Sequence, residues 1–228
     1  MRTKDTGDHP PQTVQRDGYT VEYRFNWTGK VNRNLRSFKR MRRRPCNLLE
    51  IGVFEGRTAE WFLTNLLVHP GSRYTGVDPW IGLKAPGDGN LIEPEGMEAR
   101  ARANLSHWGD KAQLIRADSV EWLKNDPVPD EHYDFVYVDG NHQMASALTD
   151  IVLVWSKLKI GGILVVDDYT KWSVRLAVNA FLYAYEGMYE LVFHKRRQVA
   201  VRKITTELSP PRPAGGILRR DRLKGIAG

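Results

Sequence analysis

The chain has 228 residues, 41% hydrophobic and 27% charged, the balance of a globular chain that buries one core of ordinary domain size. Its single cysteine, Cys46, excludes an intrachain disulfide and is expected to be a small buried side chain; no apolar run reaches the roughly 18 residues of a membrane span, and the polar start MRTKDTGDHPPQ lacks a secretory apolar segment, so the cytoplasm is the default compartment. The net charge of +7 is unevenly placed: residues 30–44 and 195–228 each carry +8 and residues 1–29 sum to zero, which leaves −9 on residues 45–194.

Residues 1–18 are polar with two prolines and are expected to be poorly ordered. KVNRNLRSFKRMRRR (30–44) reads as a basic helix leading into the domain. NLLEIGVF (47–54), an apolar run bounded by glycine, reads as a buried strand. RTAEWFLTNLLVH (57–69) sets Ala59, Phe62, Leu63, Leu66 and Leu67 on one helical face. RYTGVD (73–78) is a second strand, EPEGMEARARANLSHWG (93–109) a helix, AQLIRAD (112–118) a third strand, and SVEWLKN (119–125) a short helix that Ser119 could cap. YDFVYVD (133–139) is a fourth strand, and Met144, Leu148, Ile151, Trp155 and Leu158 make the apolar stripe of the helix after it. GILVVDD (162–168) is a fifth strand, KWSVRLAVNAFLYAY (171–185) a helix, and YELVFHK and QVAVRKI a hairpin closed by a tight basic turn. The tail 209–228, rich in proline and glycine, is expected to be flexible.

Strands alternating with helices imply a doubly wound, mostly parallel α/β sheet of Rossmann-like type, seven strands counting the closing antiparallel hairpin. The expected organisation is a polar, then basic N-terminal extension over 1–44, one domain over 45–204 and a flexible basic tail over 205–228. In such a sheet ligands bind at the carboxyl ends of the strands. The first strand there ends at Glu50 and Gly52, the second at Asp78, the third at Asp118-Ser119, the fourth at Asp139 and the fifth at Asp167-Asp168. One aspartate at a strand end is ordinarily a turn or cap residue, but acid at every strand end makes that reading poor for all five. The first loop is ExGxxxG, with Phe54 where a dinucleotide loop has its middle glycine; that argues against a diphosphate ligand.

The ordered segments LLEIGVFEGRTAEWFL, YTGVDPW, IRADSVEWL, YDFVYVDGNH and LKIGGILVVDDY, together spanning roughly residues 45–204, resemble the class I S-adenosylmethionine-dependent methyltransferases. The likeness is strongest to the metal-dependent small-molecule O-methyltransferase branch that includes the catechol and sugar enzymes. It implies that Glu50, Gly52, Phe54 and Gly56 hold the methionine portion of S-adenosylmethionine. Asp78, followed by Pro79, would accept from both ribose hydroxyls, and Asp118 and Ser119 would meet the adenine edge. Asp139 would lie against the cofactor and also serve catalysis and metal binding. In the metal-dependent members one Asp after the fourth strand and an acidic pair after the fifth hold Mg²⁺, here Asp139, Asp167 and Asp168. His142 falls where the catechol enzymes place a lysine base and is the candidate base, although a capping or substrate-orienting role is equally open to it.

The segment 79–96 is long and rich in glycine and proline and is a candidate lid, and Trp80, Trp108 and Trp172 are candidate pocket walls. The leading expectation is a Mg²⁺-assisted O-methyltransferase acting on a small hydroxylated molecule. The basic ends keep a second reading, methylation of nucleic acid or another polyanion, which the absence of an Asn/Asp-Pro-Pro-aromatic tetrad disfavours. A non-catalytic cofactor-binding module is the third. No membrane partner is expected, and an oligomer is compatible with the sequence.

Overall fold

The computed structural model describes residues 12–16, 18–24, 32–81, 83–84, 91–92, 96–125, 128–195 and 197–207. Its centre is a seven-stranded sheet. In chain order the strands are β3 (Asn47–Ile51), β4 (Arg73–Asp78), β7 (Ala112–Arg116), β8 (Tyr133–Val138), β9 (Leu158–Val166), β10 (Tyr189–Lys195) and β11 (Gln198–Lys203), and their spatial order is β10-β11-β9-β8-β3-β4-β7. β3 pairs parallel with β4 and β8, β4 with β7, and β8 with β9, while β11 runs antiparallel between β9 and β10; β5 (Leu83–Lys84) and β6 (Leu91–Ile92) pair antiparallel in a separate two-stranded sheet. The expected fold class is therefore observed.

The alternation of side chains along the strands splits the core into two layers. Leu49, Ile51, Val136, Val138, Leu164 and Val166 pack against α5 (Met144–Lys157) and α6 (Trp172–Ala184). Leu48, Phe135, Tyr137, Ile163 and Val165 face the other way, against Phe62 and Leu63 of α2 (Arg57–Asn65). All six residues of β8 are buried, as expected of a strand covered on both faces. Leu158, expected to end the helical stripe, begins β9 instead, and Met144 at the other end is exposed.

The N-terminal residues are part of this body. β1 (Gln12–Arg16) and β2 (Tyr19–Tyr23) form an antiparallel hairpin where a poorly ordered segment was expected. The hairpin buries Val21 and Tyr23 and stacks Tyr19 on His107 at 4.2 Å. Asn104, on α3 (Met97–Leu105), donates to the Glu22 carbonyl at 2.7 Å and accepts from the Glu22 N–H at 2.8 Å, so an amide side chain completes the strand edge. The basic segment is helical, but only its start is α1 (Asn32–Leu35); Arg36–Arg43 is 3₁₀. The reason is legible in its buried residues. Leu35, Phe38 and Met41 recur every three positions, the repeat of a 3₁₀ helix, and dock against Phe135 and Phe193 while Lys39, Arg40, Arg42 and Arg43 stay in solvent. The first eleven residues and the expected flexible tail from 208 onward lie outside the described residues, as does most of the candidate lid.

Candidate functional site

The chain leaves β3 toward β4 on one side and returns to place β8 on the other, so the topological switch point lies between β3 and β8. The backbones there almost touch. Asp139 N–H donates to the Ile51 carbonyl at 2.8 Å, and Gly52 N–H to Val77 at 2.9 Å. A Cβ on Gly52, whose φ is +88°, would stand 2.2 Å from the Asp139 carbonyl oxygen. The absence of a side chain on Gly52 lets the turn after the neighbouring strand approach this closely. Glu50 lies fully buried behind this contact and accepts from the Tyr74 hydroxyl. Burial pushes its carboxyl up to about 8, with Tyr74 opposing and Asp78 adding to the rise. No cation pairs with it among the described residues.

Asp78 holds the ExGxxxG loop in shape. Its Oδ2 accepts from Val53 and Phe54 N–H, both at 2.8 Å, and its Oδ1 from Trp80 N–H at 2.7 Å. A carboxylate offers about four acceptor positions, so one, on Oδ1, is not taken among the described residues. Phe54, at φ +55°, turns the loop and accepts from the Trp80 indole N–H at 2.7 Å; Gly56, at φ +80°, precedes α2 with Leu105 against it; Pro79 is half-buried beside Asp78. Asp118, not Ser119, caps α4 (Ser119–Asn125), accepting from Val120 and Glu121 N–H at 2.9 and 3.1 Å. The Ser119 hydroxyl donates to Asp150 at 2.6 Å, a buried α5 carboxyl that burial pushes up to about 6. Asp150 was not singled out in the sequence, where it reads as one polar residue in a helix.

The third part of the edge joins the loops after β8 and β9. Asp139, His142 and Asp168 bring one ligand atom each within 4.8 Å of one another. Asp168 sits at φ +57° and accepts from His142 Nε2 at 2.8 Å and from Lys171 Nζ at 2.5 Å on the same oxygen. Lys171 Nζ also lies 2.9 Å from His142 Nδ1. It lies 3.1 Å from Nε2 as well, so it sits to the side of the imidazole and not in line with either nitrogen's lone pair. Burial and then the Lys171 and Arg197 charges push the imidazole down to about 4, so it is neutral at neutral pH. Burial and then Asp167 hold the half-buried Asp139 carboxyl well above the usual range, and burial lowers Lys171.

Asp167 is different. Its Oδ1 accepts from Asp168 N–H at 2.6 Å and Arg197 Nε at 2.8 Å, and its Oδ2 from the Tyr137 hydroxyl and from Gln198 Nε2 at 3.4 Å. Arg197 Nη2 reaches Asp168 Oδ1 as well. The expected metal ligands Asp139, Asp167 and Asp168 therefore do not form an open triad, because every acceptor position of Asp167 is taken inside the protein. Asp167 and Asp168 are met instead by Arg197 and Lys171, two cations the sequence reading passed over. Lys171 stands three residues after Asp168, and Arg197 in the tight basic turn; their positions were visible, their reach was not.

Of the candidate pocket tryptophans, only Trp172 is near this constellation. It is 65% exposed at the start of α6, with Arg175 over its ring at 4.9 Å, and its neighbour Ser173 donates to the His142 carbonyl at 2.5 Å. Trp80 is core, packed with Val53, Met97 and Ala101, and Trp108 packs edge-on to Tyr19 of the N-terminal hairpin. Glu55, also overlooked, is buried and ties the first loop outward, accepting from Arg100 Nε and Arg24 N–H at 2.7 Å each.

Residues 49–169 match the family described as a methyltransferase domain. A search of curated proteins finds no significant match. Many solved structures share the fold. The O-methyltransferase NovP is 18% identical with a TM-score of 0.57, over 77% of this chain and 80% of that one. The S-adenosylhomocysteine-bound methyltransferase PaMTH1 of Podospora anserina is 14% identical with a TM-score of 0.57, over 78% and 80%. The O-methyltransferase of Bacillus cereus, also solved with S-adenosylhomocysteine, is 15% identical with a TM-score of 0.57, over 78% and 83%. At these identities the likeness is one of fold.

Proposed function

Because this chain belongs to the methyltransferase-domain family, we propose that it transfers a methyl group from S-adenosylmethionine to a hydroxyl oxygen of a small molecule. One observation carries the reading: at the β3/β8 switch point, where an open sheet leaves a crevice for ligands, the strand ends carry Glu50, Asp78 and Asp139, and Asp139 lies with His142 and Asp168, which also holds Lys171. The crevice suits the cofactor's chemistry. Among the described residues, Glu50 is a buried carboxyl with no cation paired to it, Asp78 keeps one free acceptor position, and Asp139 is half-buried with no hydrogen bond to its carboxylate. An ammonium and a sulfonium answer those needs. Glu50 would hold the ammonium, Asp78 a ribose hydroxyl, and Asp139 would lie near the sulfonium, with Gly52, Phe54, Gly56 and Pro79 shaping the wall and Asp118 and Ser119 at the adenine end.

When bound, the cofactor supplies an electrophilic methyl whose departure leaves a neutral thioether. With Nε2 donating to Asp168, His142 would accept the acceptor's hydroxyl proton at Nδ1 while Lys171 stays on Asp168. Asp168 accepts the Nε2 proton, fixes the ring, and compensates the imidazolium as it forms. The Mg²⁺ assistance expected from the resemblance has no step here, since its ligand set does not fit these contacts.

The polyanion reading is weaker. Arg44, closing the basic segment, pairs with Asp134 at the start of β8, the sheet edge opposite the crevice. A polyanion on that end of the segment would not be presented to His142. No helix among the described residues is long and apolar enough to cross a membrane.

The test is calorimetric titration with S-adenosylmethionine, then a screen of hydroxylated small molecules for S-adenosylhomocysteine release. Stoichiometric binding followed by turnover that His142→Ala abolishes is expected. Failure to bind the cofactor would refute the reading.

A further inference from the structure

The contacts of Arg197 go beyond that reading. It lies in the turn joining β10 to β11, fixed by the pairing of Lys195 with Gln198. Its carbonyl accepts from Tyr169 N–H at 2.8 Å, so backbone and side chain both grip the turn after β9. Its guanidinium spans both carboxylates, Nε on Asp167 and Nη2 on Asp168. Guanidinium is the cation suited to such a fork, always charged and planar.

We propose that Arg197 stands in the place of a divalent cation, as the fixed counterion of the Asp167–Asp168 pair, and that this site is built to work without a metal. Charge and lone pairs argue the same way. Asp167 and Asp168 meet two cations, Arg197 and Lys171, so their charge is balanced within the chain. A divalent ion would overshoot. It would also have to share Asp168 Oδ1 with Arg197 and displace Lys171 from Oδ2, while Asp167 has no acceptor position left. Mg²⁺ demands near-ideal octahedral geometry from hard oxygens, and here only Asp139 offers a carboxylate without a partner among the described residues. Arg197 is thus a positioning residue: it holds Asp168, and Asp168 holds His142 and Lys171.

Mn²⁺ titration followed by electron paramagnetic resonance tests this without an acceptor. The full chain should take up no Mn²⁺ in the micromolar range, and its affinity for S-adenosylmethionine should be the same in EDTA and in Mg²⁺. Arg197→Ala, which frees both carboxylates, should bind Mn²⁺ at least tenfold more tightly than the parent chain, and adding Asp168→Asn should remove that gain. Arg197→Lys, which keeps the charge without the fork and preserves folding if the alanine variant does not, should show little gain. A single micromolar Mn²⁺ site in the parent chain, lost in Asp168→Asn, would overturn the proposal, as would a folded Arg197→Ala protein with no gain. A chain that binds neither Mn²⁺ nor S-adenosylmethionine would instead overturn the proposed function.

Discussion

Binding of S-adenosylmethionine should be coupled to ionisation of Glu50. In the free protein burial holds this carboxyl at about 8, so it is protonated at neutral pH and hydrogen-bonded to Tyr74. An ammonium beside it needs the carboxylate, so binding must release the proton. The ionised fraction of a group at about 8 rises about thirtyfold between pH 5.5 and 7.0, worth about 2 kcal/mol. The association constant should climb by about that factor across this window, in which the cofactor's own α-amino group stays largely protonated. Calorimetry at pH 7 in buffers of different ionisation enthalpy should report about one proton released per cofactor bound. Asp78 and Asp139 are also raised and add their own slope, so the Glu50 part is the difference between the parent chain and Glu50→Gln. That variant should bind more weakly at pH 7 and lose most of the slope. The free protein obeys the opposite trend. A carboxyl raised on folding contributes stability below its unfolded value of about 4.5 and loses it as pH rises through about 8. Without cofactor, Glu50 therefore lowers the melting temperature across that range. An affinity that is flat with pH, or a Glu50→Gln variant with the parent's slope, would refute the assignment.

Other substitutions separate architecture from chemistry. Gly52→Ala puts a Cβ 2.2 Å from the Asp139 carbonyl at a left-handed φ; a loss of roughly 1–3 kcal/mol in urea unfolding is expected, together with weakened cofactor binding. Deleting residues 1–24 removes buried Val21 and Tyr23 and the Arg24 N–H bond to Glu55. Each lost side chain should cost about 1.5–3 kcal/mol, lowering the urea midpoint, and cofactor affinity should fall with it. Buried Lys203 donates to the carbonyls of Trp155 and Leu158 at the end of α5, at 3.0 and 2.7 Å; Lys203→Met should cost about 1–3 kcal/mol of stability by leaving those acceptors unpaired, with little effect on cofactor binding. With an acceptor in hand, turnover at saturating cofactor should hold down to about pH 5, because His142 titrates at about 4 rather than 6.5; a fall centred near 6.5 would show that the imidazole is not held as described.

The division between what was legible in the chain and what was not follows the range of the interactions. The parallel sheet was readable because β3, β8 and β9 each carry their own apolar signal, and a strand buried on both faces needs nothing from the rest of the sequence to announce itself. Acid at the strand ends was equally local. The N-terminal hairpin was not, since Gln12–Arg16 is polar and exposed, and β2 is held by Asn104 and Glu55, both distant in sequence. The 3₁₀ form of 36–43 lay between. Its three-residue apolar repeat is present in the sequence, masked by the charges around it.

The acidic pair shows how local reading locates a site without reading what surrounds it. Asp167 and Asp168 were placed at the right edge, beside Asp139 and His142, from strand ends alone. What they hold depends on which cations reach them. Lys171 arrives because Asp168 adopts a left-handed turn that points its carboxylate at the start of α6. Arg197 arrives because the closing hairpin inserts β11 beside β9, carrying a turn residue to within 2.8 Å of an aspartate 30 positions earlier. In sequence, three aspartates near one another look like a demand for an external divalent ion. In the fold, Arg197 and Lys171 bring two positive charges to the Asp167–Asp168 pair from the chain itself.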